Sequence, residues 1–445
     1  MTNTIPRATV SALPPAPPRA LRLLLLGLGL GLGLTLALTN PAAAEDVSQW
    51  RGTGHRGVYK ETGLRKTWPD NGPPMLWKTA GVGAGYSSPV TANGKIYFTG
   101  IEDEDGRKVE FMTCLDAAKG QIVWQTAYGS PWSRDYPAAR STPSVSDGEV
   151  FAISGSGEVA KLNAETGALL WKVNAKKTFG GVTGGWGTAE SPLVDDQAVY
   201  FTPGGPQTTL VALDRKNGRT LWKTKSLGDK ASYVTPTVIR HNNVRQIVGA
   251  TTNYVFGVNP ANGDLAWSIN FAKILDAGRT IKRYDILVNS LVHRDGKLFL
   301  SNGYNHGSMM FQLNADASKV EVLWTNQDLC SQHHGFVWLG DFIFGTSHTS
   351  RKWTCINAKT GKTVASERVN GVGLGQVVAA DDMIYVYDAE RGNVILVKPD
   401  PRAFAEVARF PIRDGQQQHW CHPVIANGVL YLRHGDVALA FDLKP

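Results

Sequence analysis

Cysteine is scarce in this chain of 445 residues, which has only Cys114, Cys330, Cys355 and Cys421. Four are too few for a disulfide framework, although one or two bridges stay open. Charged residues make up only 19%, and no dense Lys/Arg run occurs, so nucleic acid binding is not implied. Long apolar runs are nearly absent. The single one, Leu23 to Leu38, has 16 residues, short of the roughly 20 that span a bilayer. No segment reads as a convincing helix, which turns attention to strands.

Apolar residues reach 42%, enough for a large core and too many for wholesale disorder. Gly 48 and Pro 23 make the chain turn-rich without a collagen period. Residues 1–44 read as an export signal. Arg19 and Arg22 precede the apolar run, and Ala42-Ala43-Ala44 supplies a small-residue cleavage site before Glu45. Cleavage removes Arg7, Arg19 and Arg22 and no acid, lowering the net charge from +8 to +5. The first cysteine is Cys114, so no lipid-anchoring cysteine stands at the new N-terminus. The expectation is a periplasmic or secreted protein with no membrane span after processing, as a monomer.

One unit recurs along the chain, and repeats decide the fold. Ser/Thr-Pro precedes an apolar strand, then come a tight turn, a second strand and a third strand ending in Leu-Asp/Asn. Gly follows four residues later and Trp four after that. Ser88-Pro89 leads through Asn93-Gly94 to Leu115-Asp116, Gly120 and Trp124. Thr142-Pro143 leads to Leu162-Asn163, Gly167 and Trp171, and Ser191-Pro192 to Leu213-Asp214, Gly218 and Trp222. Thr235-Pro236 leads to Val258-Asn259, Gly263 and Trp267. Asn-Gly and Asp-Gly between alternating apolar runs mark hairpins, because Gly accepts positive φ. Each Trp ends an outer strand, where its ring can pack on a neighbouring sheet and its N–H needs an acceptor.

Four degenerate copies follow, the last ending at Phe441-Asp442-Leu443 without a fourth strand. The unmatched strand Leu76-Trp77-Lys78 completes that sheet and closes the ring, which protects its edges. The expected fold is all-β, an eight-bladed β-propeller of four-stranded antiparallel blades over residues 76–445. Residues 45–75, with Trp50-Arg51-Gly52 and Trp68-Pro69, form an ordered arm lying over the ring.

With these residues laid out, the chain resembles the PQQ-like β-propeller repeat proteins, nearest to exported bacterial members similar to the outer-membrane assembly factor BamB. The Leu-Asp-Ala-x-x-Gly-x-x-x-Trp unit carries the likeness, with Gly85-Tyr86-Ser87-Ser88, Arg140-Ser141-Thr142-Pro143, Trp186 to Pro192 and His333-His334-Gly335. The missing lipid-anchoring cysteine sets this chain apart from BamB. One scaffold carries dehydrogenases, assembly factors and binding modules, so function must come from the site.

The connector before each innermost strand emerges on one face, and its last residues ring the channel mouth. They are Tyr86, Ser87, Arg140, Trp186, Glu190, Tyr233, Asn289, His333, His334, Gln376, His419, Trp420 and His422. Such a ring either forms a binding site or satisfies itself across a wet funnel. Arg140 and Glu190, at equivalent positions in adjacent blades, either pair as a salt bridge or leave Arg140 for an anionic ligand. Cys330-Ser331-Gln332-His333-His334 and His419-Trp420-Cys421-His422 hold metal-ligand types without a standard spacing, so buried, hydrogen-bonded groups are the favoured reading and no metal site is assigned. Cys114 and Cys355 are read as free core thiols.

The expected function is a non-catalytic binding or assembly scaffold in the cell envelope, with an envelope protein or a small polar ligand as partner. Carbohydrate or peptide recognition by Tyr86, Trp186, Tyr233 and Trp420 falls within that reading. The alternative is a quinoprotein dehydrogenase using PQQ and calcium. The resemblance implies two adjacent cysteines on the quinone for that activity, and this chain has no Cys-Cys pair and no Cys-x-x-Cys-His haem motif. Glu190, Asp285 and Asn289 are the nominated calcium ligands. The expected cofactor is therefore none.

Overall fold

The computed structural model describes residues 45–279 and 286–445, so the export signal and Asp285 lie outside the described residues. Eight antiparallel sheets follow one another round a ring. In blade 1 the innermost strand is Val90–Ala92, followed outward by Lys95–Glu104, Arg107–Asp116 and Ile122–Gly129. Blades 2 to 7 begin at the innermost strands Ser144–Ser146, Leu193–Val194, Thr237–His241, Val292–Arg294, Phe336–Leu339 and Gly375–Ala380. In blade 8, Val424–Ala426, Val429–His434 and Val437–Asp442 take Met75–Ala80 as the outer strand, with Trp77 opposite Ala440. The ring therefore closes where the sequence places the closure.

Local chemistry explains the blade. Asn93 and Gly94 have φ of 51° and 72°, the two positive values of the tight hairpin turn that matches strand twist. The third strand ends in a turn headed by Asp116, whose carboxylate accepts from the Ala118 and Lys119 N–H groups at 3.0 and 2.8 Å. Gly120 closes that turn beneath Trp77 of blade 8. A Cβ there would sit 2.5 Å from the Trp77 ring, while Trp77 Nε1 donates to Ala117 O at 2.9 Å. The repeat's Gly and Trp thus meet between consecutive blades, not within one. The same clasp joins Trp124 to Gly167, Trp171 to Gly218, Trp222 to Gly263 and Trp324 to Gly361.

Helix is confined to single turns. Ala175–Thr178 and Phe271–Leu275 follow the outer strands of blades 2 and 4, each capped by an Asn side chain accepting from the third residue on. All four cysteines are free and buried.

The arm departs from its expected place. It does not lie over the ring but enters the central channel from the face opposite the mouth. Val47 O accepts from Thr91 N and Ser48 O from Val145 N, on the innermost strands of blades 1 and 2. The chain turns at Trp50–Gly57 just under the mouth. It then leaves as Val58–Tyr59, which pairs in parallel with Ala379 and Ala380 of blade 7. At the turn the buried Arg51 uses all five N–H donors: on the carbonyls of His55, Arg56, Phe336 and Val377, and on His422 Nδ1. With no carboxylate beside it, burial lowers its pKa to about 10. Sequence pattern shows where strands repeat, but an arm without a repeat carries no register to read.

Candidate functional site: the channel mouth

With the arm beneath it, the mouth becomes a blind cavity of about 360 Å³. Seven of the sequence-derived residues line it: Tyr86, Arg140, Trp186, Tyr233, His333, Trp420 and His422. Trp50 of the arm also lines it. A second cavity of about 350 Å³ adjoins it, sharing Gln332, His333, His348 and Trp420 and adding His419, Gln417 and Gln418.

Trp420 stands at the centre. Its ring lies 4.8 Å from that of Tyr86, 5.2 Å from Tyr136 and 4.7 Å from His333. Tyr86 OH donates to Gln418 Oε1. Trp186 is held by its backbone, whose N–H donates to Tyr233 OH at 3.1 Å and whose carbonyl accepts from Arg140 at 3.0 Å.

Arg140 does not pair with Glu190. Its guanidinium donates to the carbonyls of Trp186, Asp135 and Tyr136. Both Glu190 oxygens instead accept from Thr202 N, and one also from Thr202 Oγ1. The two are in fact one residue out of register: Arg140 stands three residues before Pro143 and Glu190 two before Pro192, so Ala189 takes Arg140's place at the cavity while Glu190 turns into blade 3 and is 1% exposed. Burial without a cation drives the Glu190 pKa well above the carboxylate range.

Three further ring members also turn inward. Asn289 Nδ2 donates to Ser331 O at 2.9 Å. Gln376, its amide oriented so that nitrogen donates, reaches His419 O and Tyr387 O. His334 is fully buried against His333, with centroids 4.1 Å apart. Ser87 serves the wall, accepting from Arg433 at 2.6 Å.

Burial keeps the histidines neutral. His333 falls to about 3 and His419 to about 4, while His334 and His422 fall well below 6.5. His422 has a fixed tautomer: Nδ1 accepts from Arg51 at 2.9 Å, so Nε2–H donates to His333 O at 2.8 Å. The thiols of Cys330 and Cys421 donate to Gln327 O and His422 O. Among the described residues, no three His, Cys, Asp or Glu side chains gather as a metal-binding group. The calcium nominees Glu190 and Asn289 do not line the cavity, so the described residues do not fit a calcium ion held in it.

Beneath the wall between blades 1 and 2 lies Glu110, wholly buried. It accepts from Tyr128 OH at 2.7 Å and from Gly155 N at 2.8 Å. Gly155 O in turn accepts from Thr188 N, so this carboxyl braces the loop that carries Trp186. Burial raises its pKa to about 7.

Sequence reasoning missed Trp50, Tyr136, Tyr304, Gln332 and His348, all of which line the cavity. Tyr304 and His348 sit in turns between second and third strands of blades 5 and 6. Second strands run back toward the mouth, so those turns face it as well as the connectors do. Strand alternation alone contained that signal. Trp50 had no such signal, since it comes from the arm.

A family model described as outer membrane protein assembly factor BamB matches residues 110–367, more than half of the chain. The chain belongs to this BamB family. BamB of Yersinia pestis is 24% identical over 351 residues, 75% of this chain and 80% of that protein. Among solved structures, BamB from Moraxella catarrhalis superposes with a TM-score of 0.58 at 15% identity, over 83% of this chain and 99% of that one. A quinohemoprotein alcohol dehydrogenase from Comamonas testosteroni gives 0.65 at 10% identity, over 91% of this chain and 82% of that one. At these identities both structural likenesses concern the fold. No helix among the described residues is long and apolar enough to cross a membrane.

Proposed function

We propose that this BamB-family propeller is a non-catalytic protein-assembly scaffold of the cell envelope, exported by cleavage after Ala44 and working as a monomer without a cofactor. It receives its partner at the channel mouth. The observation that carries this reading is the blind aromatic cavity, floored by the chain's own Trp50 and holding, among the described residues, one cation, Arg140, beside neutral histidines. Such a site offers stacking faces and a fixed charge for recognition. Chemistry would need an aligned acid, base or nucleophile. His422 has both ring nitrogens engaged, by Arg51 and by the His333 carbonyl, and Glu190 and Asn289 are engaged inside the wall.

A photo-crosslinking residue placed at Tyr136, and separately at Leu170 on the outer rim, tests the reading in envelope extract. Capture of a defined protein from position 136 alone supports it. Saturable uptake of PQQ with calcium, accompanied by dye reduction in purified protein, overturns it in favour of a quinoprotein dehydrogenase. Saturable binding of an oligosaccharide, with no protein captured, shifts it to glycan recognition.

A further inference from the structure

We propose that the outer rim of blades 2 and 3 docks on an anionic phospholipid surface, as a binding face separate from the mouth. All eight blades share one irregularity. In every outer strand the ladder shifts register immediately before the rim Trp position, leaving one residue unpaired. Such a bulge re-aims its side chain. Here it points to solvent: Leu76, Val123, Leu170, Leu221, Leu323 and Val364 are 41–49% exposed. Each outer strand runs toward the connector at the mouth, so this apolar belt lies at the opposite end of the ring, and docking there leaves the mouth open.

A single exposed Leu is ordinary on a protein surface. Blades 2 and 3 differ in what stands beside it. Leu169 and Leu170 form an exposed pair, and the Trp171 clasp, with Nε1 3.0 Å from Arg215 O, brings the blade 3 turn next to them. That turn carries the exposed Lys216 and Arg219 on either side of Gly218, and beyond Leu221 comes the exposed Lys223. None of these three cations has an ion-pair partner among the described residues. The acids of the same turns are occupied: Glu165 pairs with Lys95, and Asp214 accepts from the N–H groups of Lys216 and Asn217. Blade 5 shows the contrast, with the exposed Glu321 two residues before Leu323.

Aliphatic side chains flanked by unpaired cations match a membrane interface, where the apolar groups enter the headgroup region and the cations meet phosphates. A protein partner would favour aromatic anchors and few lysines. On these two blades the rim rings, Trp171 and Trp222, are turned inward onto Gly218 and Gly263, which leaves only Leu and the cations facing out. Because all three cations are exposed, salt screens their attraction to the lipid.

The test is co-sedimentation of the processed chain, from Glu45 onward, with vesicles of phosphatidylcholine alone and with about one quarter of it replaced by phosphatidylglycerol. We expect saturable binding to the anionic vesicles, at least about tenfold weaker binding to the neutral ones, and release at about 0.5 M salt, where the screening length falls to roughly 4 Å. Lys216→Gln, Arg219→Gln and Lys223→Gln together should weaken binding to anionic vesicles about tenfold, and Leu170→Ser with Leu221→Ser by a similar factor. Leu323→Ser on blade 5 should leave it unchanged. Equal binding to both vesicles, or to neither, overturns the proposal. So does a triple variant that binds as the unaltered protein does, or a Leu323→Ser variant that loses as much as the blade 2 and 3 pair. A dimer in light scattering that Leu170→Ser abolishes, without vesicle binding, overturns it in favour of a second copy of this chain. A defined protein crosslinked from position 170 in envelope extract, again without vesicle binding, overturns it in favour of a protein partner.

Discussion

Around the outer rim of the ring the same contact is made five times. A Trp ring lies over the Gly of the next blade and its N–H meets the carbonyl of that blade's turn, with Nε1 to oxygen distances of 2.9–3.2 Å. At the mouth only blades 1 and 4 contribute alike, with Tyr86 and Tyr233. Blade 2 brings a connector with Arg140, blade 3 one with Trp186, blade 8 one with Trp420, and the arm brings Trp50. Where the clasp is missing one half of its sequence is missing too: Ala365 stands in place of Trp in blade 6, and Ser318 stands in place of the Gly that Trp267 of blade 4 would cover, so Trp267 donates instead to Gln246 within its own sheet. A repeated contact serves the scaffold, since identical geometry recurs at each junction. Unrepeated residues gathered on one face have no such duty and are free to serve recognition.

This contrast can be broken at four points, in order of expected effect. Trp77→Ala removes the clasp at the ring closure, and the unfolding free energy measured in urea should fall by about 3–5 kcal/mol. A loss under about 1 kcal/mol would show that the closure does not depend on it. The second point is the buried Glu110, which braces the mouth from inside. Its native pKa of about 7 exceeds the ordinary 4.5, so the folded state holds a proton that the unfolded chain releases. Its contribution is therefore complete below pH 4.5 and is lost as pH rises through 7. His333, lowered to about 3, acts in the other direction, losing stability as pH falls below 6.5. Comparison with Glu110→Gln isolates the first term: the unaltered protein should lose roughly 2–3 kcal/mol relative to the variant between pH 4.5 and 8. A flat difference rejects the assignment.

Third, Gly120→Ala places a methyl 2.5 Å from the Trp77 ring at a φ of 70°, and should cost about 2 kcal/mol by calorimetry or denaturation. Smallest of all is Trp186→Ala at the mouth. Its backbone bonds to Tyr233 and Arg140 survive the change, so stability should move by less than about 1 kcal/mol. Partner capture from position 136 should nevertheless drop. Equal melting points for the Trp77 and Trp186 variants would erase the division between rim and mouth.

Much of the fold was legible because its determinants are local and recur. Asn93-Gly94, Asp147-Gly148 and Asn427-Gly428 announce hairpins by their conformational freedom, and the missing fourth strand of blade 8 points to Trp77. The site was legible only in outline. Seven connector residues reach the cavity, but Glu190, Asn289, His334 and Gln376 turn into the wall. The offset from the Ser/Thr-Pro step separates the two sets: Tyr86, Arg140, Ala189 and Tyr233, three residues before the Pro, line the cavity, and Glu190, two before it, does not. The Arg140–Glu190 pairing failed because the two residues differ by one in that register. Tyr304 and His348 were recoverable from strand direction, whereas Trp50 was not.

The sequence by itself determined the number of blades, the place of closure and the face on which the connectors emerge, because each follows from turn chemistry and strand alternation repeated along the chain. Only the tertiary structure decided that the channel is stoppered by its own N-terminal arm, that Arg140 has no carboxylate partner among the described residues, and which blade each rim Trp clasps. Those outcomes depend on contacts between segments far apart in sequence, such as Arg51 with Val377, and no local pattern encodes a contact whose partner lies more than three hundred residues away.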